Sequence, residues 1–185
     1  DTLFSNKIIS YEQEYSKFKS KLYKFNNNVK NNNVKNNNIV LQEYINVWKY
    51  LNDKSLGTIE IYDNNPYNWL VKFDKFTLPK LNEELSILNI QNNYRSIDIL
   101  FVIDTDNYPN LPPKLIVIRP FLKNSLSIRL TNTKLLNLDY WDPSTSFNVI
   151  VNHIYENLNK FANINFNIEL NKNNKKYKQF FQIEE

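Results

Sequence analysis

The stretch from Ile97 to Pro113, IDILFVIDTDNYPNLPP, constrains the fold more than any other. Ile97 to Thr105 is dense in branched apolar residues and reads as the strongest strand in the chain. It leads into Tyr108-Pro109-Asn110-Leu111-Pro112-Pro113. Three prolines in five residues supply few amide donors and hold φ near one value, so an extended, turned path must follow the strand.

The segments on either side show clear periods. Ile8, Tyr11, Tyr15, Phe18, Leu22 and Phe25 step by three and four, which predicts a heptad-like helix face over 8–25. It is too short for an isolated coiled coil, so it is expected to dock on the domain or on a partner. Residues 26–38, NNNVKNNNVKNNN, have almost nothing to bury and read as a flexible linker. A second amphipathic helix is predicted over 40–53, with Leu41, Tyr44, Ile45, Trp48 and Leu51 on one face and Gly57 marking its stop. Thr58–Tyr62 and Trp69–Phe73 read as a hairpin around the turn Asp63-Asn64-Asn65-Pro66. Leu78, Leu81, Leu85 and Leu88 suggest a short helix, and Leu115–Ile118 a strand closed by Pro120. Residues 121–142 have few clear periods. A helix is predicted from Pro143 to about Phe161, then a strand over Ile164, Phe166, Ile168 and Leu170. The tail, 171–185, is expected to lie back on the domain as a short helix. The order gives an α+β class: a four-stranded antiparallel meander with flanking helices, an extra N-terminal helix and a C-terminal strand. The expected division is 1–38, helix and Asn-rich linker, and 39–185, the folded domain.

Composition removes most enzyme classes. The 185 residues contain no cysteine, so there is no disulfide, thiolate metal site or cysteine nucleophile. One histidine, His153, excludes a multi-histidine metal site, and one glycine, Gly57, excludes a Gly-rich phosphate loop. No metal and no cofactor is expected. The formal charge is +4, but the lysines are scattered and only Arg95, Arg119 and Arg129 are arginine. A solvated surface is the better reading than a nucleic-acid stripe. No stretch reaches the ~18 apolar residues of a membrane span. The missing initial Met leads us to expect a processed chain. The 34 asparagines are expected to fill linker and surface.

Three local signatures, in order, resemble the ubiquitin-conjugating-enzyme (UBC) fold. They are Asn68-Trp69-Leu70-Val71-Lys72-Phe73 on the second strand; Tyr108-Pro109-Asn110-Leu111-Pro112-Pro113, similar to the family's YPxxPP; and Tyr140-Trp141-Asp142-Pro143, similar to its W-x-P before a helix. Within the family the chain is most similar to the Q-class. It has an insert at 75–96, an ungapped run from Leu135-Leu136 to Trp141, and a strand with a Lys/Asn/Gln tail after the last long helix. The resemblance implies that Trp69, Tyr108, Pro109, Pro112, Pro113, Trp141 and Pro143 are structural. Trp69 and Trp141 are expected to pack, and His153 to be an ordinary helix histidine.

The chain departs from the family at the nucleophile. The family's cysteine lies eight or nine residues before the tryptophan, which here is Thr133 or Asn132, with Asn132 the better match. A thioester needs a thiolate that attacks well and leaves well; an amide does neither, and a threonine gives at most a stable ester. The His-Pro-Asn segment is replaced by Lys123-Asn124-Ser125, leaving Asn124 as the candidate remnant of the oxyanion-stabilising asparagine. Asp139 and Asp142 flank the Trp loop as the family's lysine-positioning acids would, although Asp142 is better placed to cap the following helix.

The resemblance therefore implies a ubiquitin E2 variant (UEV), a pseudoenzyme acting as an adaptor. Its implied partners are proteins: ubiquitin, an active conjugating enzyme or a ligase complex. The alternatives are an active conjugating enzyme whose cysteine has been replaced, and an RWD-type scaffold domain, towards which the N-terminal helix points. A cytoplasmic or nuclear location is the family default, with organelle targeting left open.

Overall fold

The protein is described here from a computed structural model covering residues 2–29, 34–168 and Asn171; side chains before residue 10 and from 29 to 36 lie outside that description. Ile8 of the first predicted face, residues 30–33 of the Asn run, Leu170 and the tail beyond Asn171 are therefore not described. The elements, in order, are α1 (Thr2–Val29), α2 (Val34–Lys54), β1 (Gly57–Tyr62), β2 (Asn65–Phe73), α3 (Pro79–Asn92), β3 (Ile97–Val102), β4 (Lys114–Arg119), α4 (Leu126–Thr131), a 3₁₀ turn (Lys134–Leu136) and α5 (Phe147–Phe161).

The strands form one antiparallel sheet in the order β1-β2-β3-β4, as the meander reading expects. The period of two sorts their side chains. Ile59, Trp69, Val71, Phe73, Ile99, Phe101, Leu115 and Val117 face the helices and are buried, whereas Leu70, Leu100 and Ile118 form a smaller cluster on the opposite face. Ile61, Trp69 and Phe101 are consecutive partners across three strands, which sets Trp69 at the centre of the inner face. The hairpin turn works because Asp63 and Asn64 both take left-handed backbone, φ 52° and 56°, conformations their short polar side chains tolerate.

The first helix docks on the domain. Phe18 and Leu22 are buried, and Tyr11, Tyr15 and Phe25 pack against the core. Phe18 stacks on Tyr44 of α2 with centroids 3.9 Å apart, and both meet Trp69 edge-on at 6.3 and 5.5 Å. Each fully buried large apolar side chain contributes ~1.5–3 kcal/mol by leaving water.

Several boundaries differ from the sequence reading. The Asn run is helical up to Val29 and again from Val34. Flanking amphipathic turns extend into it, and the Tyr67 hydroxyl stands 2.7 Å from Asn37 Oδ1 and 3.2 Å from Asn26 Oδ1, tying the two helices to β2. Helix α2 ends on Ser55, at φ 51°, not on Gly57. The Leu56 N–H reaches the Leu51 carbonyl and the Ser55 N–H reaches that of Asn52, a Schellman cap. Gly57 instead opens β1 at φ 157°, where a Cβ would lie 1.9 Å from the Lys72 carbonyl oxygen.

The final helix starts at Phe147, four residues later than predicted, because Asp142 folds Pro143–Ser146 into a turn. Its Oδ1 accepts from the Ser144 N–H and hydroxyl, and its carbonyl accepts from Thr145 N–H. The expected C-terminal strand is a correction. Among the described residues it amounts to one bridge, Leu122 to Ile164, with Lys123 N–H to Asn163 O and Asn165 N–H to Phe121 O. Asparagines stop it from propagating. Asn165 Oδ1 takes the Asn167 N–H, and Asn171 Oδ1 takes the Phe121 N–H, so side chains occupy groups a ladder would need.

Candidate functional site

The candidate site is the crossing from β4 to α5, which has little regular structure and carries the residues singled out from the sequence. Each of its ends is a hydrogen-bonded turn. Asn124 and Ser125 hold left-handed backbone, φ 61° and 54°, and launch α4, which buries Leu126 and Leu130 and exposes Ile128. Arg129 lies over the Phe161 ring at 5.7 Å.

Asn132 is the exposed residue that ends α4, and its N–H donates to Ile128 O at 3.0 Å. Thr133 follows in extended backbone, half-buried, and its Oγ1 is inaccessible to solvent with no hydrogen-bond partner. Its carbonyl accepts from Leu136 N–H as the 3₁₀ turn forms. Asn124 and Asn132 thus bracket one six-residue helix, both exposed to solvent.

Asp139 is exposed and its N–H is held by Asn137 Oδ1 at 2.9 Å. Asp142 is exposed too. Hydrogen bonds from the Ser144 N–H and then the Ser144 hydroxyl hold its carboxyl below the usual range. Asp142 therefore stabilises its own loop and does not cap α5. Lys134 lies over the Tyr140 ring at 4.4 Å, which leaves both side chains at the surface beside the two acids.

Two of the structural signatures meet at Phe147, and the third is tied to the second. Trp141 Nε1 donates to the Pro109 carbonyl at 2.8 Å, so the third signature is fastened to the second. Trp69 Nε1 donates to Pro66 O at 2.7 Å, which satisfies the indole of a fully buried side chain. Phe147, the first residue of α5, sits 4.6 Å from the Trp69 ring, 5.7 Å from Tyr108 and 5.8 Å from Phe101. Tyr108 and Pro113 are buried, Pro109 and Pro112 are half-buried, Pro143 is exposed, and Trp141 is half-buried against the core. Packing roles for Trp69 and Trp141 are what the geometry gives.

Sequence reading missed Glu43. From α2 its Oε2 accepts the Phe147 N–H at 2.7 Å, serving as the N-terminal cap that Ser146 does not provide. Burial raises the Glu43 carboxyl above its ordinary value, and the Phe147 hydrogen bond opposes that rise. The signal was long-range, since 104 positions separate the partners.

His153 is half-buried on α5 with Nε2 3.4 Å from Asn157 Nδ2, which suits an ordinary helix histidine. A shallow groove of about 480 Å³ beside it is lined by Leu135, Asn148, Val149, Asn152, His153 and Glu156. Among the described residues no three His, Asp or Glu side chains converge as a metal would require, and no helix is long and apolar enough to cross a membrane. The arrangement presents a fastened loop over a packed core, with an exposed amide at Asn132.

No family model matches the chain. It is 28% identical over 156 residues, 82% of its length, to a probable ubiquitin-conjugating enzyme E2 of Acanthamoeba polyphaga mimivirus. The chain spans about a tenth, 10%, of that protein's length. This likeness and the four-stranded antiparallel sheet with flanking helices are consistent with a UBC-like fold.

Proposed function

We propose that the chain is a noncatalytic UBC-like domain, a UEV-like adaptor that binds proteins of a ubiquitin or ubiquitin-like pathway. The observation that carries the reading is chemical. The resemblance and the viral relative point to a conjugating scaffold, yet the chain has no cysteine anywhere, and the position best matched to the nucleophile is an exposed asparagine. An amide nitrogen is not nucleophilic at neutral pH and forms no labile acyl bond, so acyl transfer through the chain has no covalent carrier.

The Trp69, Tyr108–Pro113 and Trp141 framework supports binding, because Trp69 and Tyr108 pack on Phe147 and Trp141 fastens its loop to Pro109. The docked face of α1 also favours this reading over the RWD-type scaffold. Among its described side chains, Phe18 and Leu22 are buried in the domain and Tyr11, Tyr15 and Phe25 pack partly against it, which leaves less of that face for assembly.

The test is incubation with a ubiquitin-activating enzyme, ATP and ubiquitin, followed by non-reducing electrophoresis, alongside a ubiquitin titration monitored by amide NMR shifts. No thioester band, together with saturable shifts, is the expected result. A reductant-sensitive band overturns the noncatalytic reading, and a flat titration against ubiquitin and conjugating enzymes overturns the adaptor reading.

A further inference from the structure

Strand β1 lies at one side of the sheet, so one of its edges has no neighbouring strand among the described residues. Two hydrogen bonds fix which of its backbone groups point outwards. The Asp74 N–H donates to Leu56 O, and the Ile103 N–H donates to Tyr67 O. The first continues the register of β1 on β2, and the second that of β2 on β3. In an antiparallel ladder, bonded and non-bonded pairs alternate. Both bonds give the same parity: Thr58 and Glu60 bond to Lys72 and Leu70, whereas Ile59 and Ile61 turn their N–H and C=O groups away from the sheet. Among the described residues no hydrogen bond reaches those groups. The register shifts between Ile61 and Tyr62, which ends the open stretch there.

An open edge is a template for another strand, and here it faces a groove. The groove holds about 260 Å³ between residues 59–61 and the Glu14, Lys17 and Lys21 side of α1. That is just under the ~300–1,000 Å³ of sites that enclose a whole small ligand, so it suits a short length of main chain. The charges in it do not balance. Glu14 accepts from the Tyr44 hydroxyl at 3.1 Å and lies 3.6 Å from Lys17 Nζ. Glu60 is paired with Lys72 at 2.7 Å. Lys21 is half-buried and, among the described residues, has no carboxylate partner. The two acids are answered, and one cation is left over.

We propose that this groove binds an extended peptide of a partner protein, which adds a strand to β1 and sets an acidic side chain against Lys21. The peptide main chain exchanges N–H···O bonds with Ile59 and Ile61, at sites ~7 Å apart along the strand. Residues opposite one another on neighbouring strands share a face. Peptide residues opposite Ile59 and Ile61 therefore point to the helix side, where α1 carries Lys21. The main-chain bonds supply affinity and the lysine supplies selectivity. This inference does not rest on the function proposed above.

The test uses the whole chain and a blocked pentapeptide that alternates threonine and valine around a central glutamate, followed by amide NMR and hydrogen exchange. Saturating peptide should slow exchange at Ile59 and Ile61 about tenfold or more and leave Thr58 and Glu60, already bonded inside the sheet, unchanged. Lys21→Gln should weaken binding about fivefold, as should glutamine at the centre of the peptide. The two changes together should cost no more than either alone. Absence of saturable shifts up to millimolar peptide overturns the proposal, as does binding that leaves the Ile59 and Ile61 amides fast. Slow Ile59 and Ile61 amides without peptide also overturn it. Slowness at every dilution means that the chain fills its own edge, and slowness that grows with protein concentration means that a second copy does.

Discussion

The Glu43 carboxylate of α2 accepts the Phe147 N–H at 2.7 Å, so one helix caps another across 104 residues of sequence. Phe147 is also where Trp69, Phe101 and Tyr108 meet. The bond therefore fixes both the start of α5 and the aromatic centre of the domain. Removing the acceptor with Glu43→Ala should cost ~1 kcal/mol, the usual value of an N-cap, with more if the Phe147 ring shifts. Glu43→Gln keeps an acceptor oxygen and removes the charge that burial penalises, so it should be neutral or stabilising at pH 7. Urea unfolding of the three proteins checks the order.

The same residue gives a pH dependence with a definite sign. Burial, the larger cause, raises the folded carboxyl above its ordinary 4.5, so the folded state binds this proton more tightly than the unfolded chain. The contribution is fully present below 4.5 and is lost as pH rises through the raised folded value. The Glu43→Gln variant should lack this decline. Thermal midpoints of both proteins from pH 4 to 8 test it, and parallel curves would contradict the assignment.

Gly57 is required by close approach, not by helix termination. A Cβ there would stand 1.9 Å from the Lys72 carbonyl oxygen, and φ 157° is a region that other residues rarely adopt. Gly57→Ala should destabilise by about 3 kcal/mol or more, well above an ordinary surface change. Ser55, which holds the left-handed cap at φ 51°, should behave in the opposite way: Ser55→Gly relieves that conformation and should be neutral or mildly stabilising. Chemical denaturation of both variants separates the two roles.

Asp98 is almost fully buried on β3 and pairs with Arg119 Nε of β4 at 2.6 Å, while Ser96 donates its hydroxyl to the other oxygen. The guanidinium also lies over the Tyr94 ring at 4.1 Å. Removing only the cation strands a buried carboxylate, so Arg119→Ala should cost about 3–5 kcal/mol. Asp98→Asn combined with Arg119→Ala should recover part of that loss, since no isolated charge remains. A double-mutant cycle in urea measures the difference, and strict additivity would show that the pair is uncoupled.

How far the sequence could be read depends on the range of the interaction. The four strands, helices α1, α2, α3 and α5, and the apolar face that carries Phe18 and Leu22 follow from local period, whereas α4 sits in a stretch without a clear period. The later start of α5 was hidden because the Asp142 carboxyl closes a turn that only geometry reveals. The missing C-terminal strand was hidden because alternation of Ile and Phe with Asn looks like a strand, but the Asn amides compete for the backbone. The asparagines do more than fill linker and surface. Asn82 both accepts from Phe76 N–H and donates to Phe76 O, and Asn159 accepts from Thr77 N–H at the entry to α3. An amide side chain carries the same donor and acceptor as a peptide group, so it can stitch a loop as a strand would. At the candidate site the resemblance located Asn132 and Asp142, but neither Glu43 nor the free Thr133 Oγ1 leaves a local trace.

The last prediction separates Asn132 and Thr133, the two positions that the resemblance matches to the family's cysteine. Asn132 is exposed at the end of α4, whereas Thr133 is half-buried with its Oγ1 inaccessible to solvent. A thiol reacts as the thiolate and only where a reagent can reach it. With no other cysteine in the chain, Asn132→Cys should react with a disulfide reagent at a rate close to that of a free thiol, and Thr133→Cys at least about tenfold more slowly. If Asn132 occupies the ancestral position, Asn132→Cys is also the variant that should acquire a reductant-sensitive ubiquitin adduct with an activating enzyme and ATP. An adduct on Thr133→Cys alone would move the vestigial position one residue along. Fast labelling of Asn132→Cys without an adduct would show that the activating enzyme does not recognise the chain even when a reactive thiol stands there.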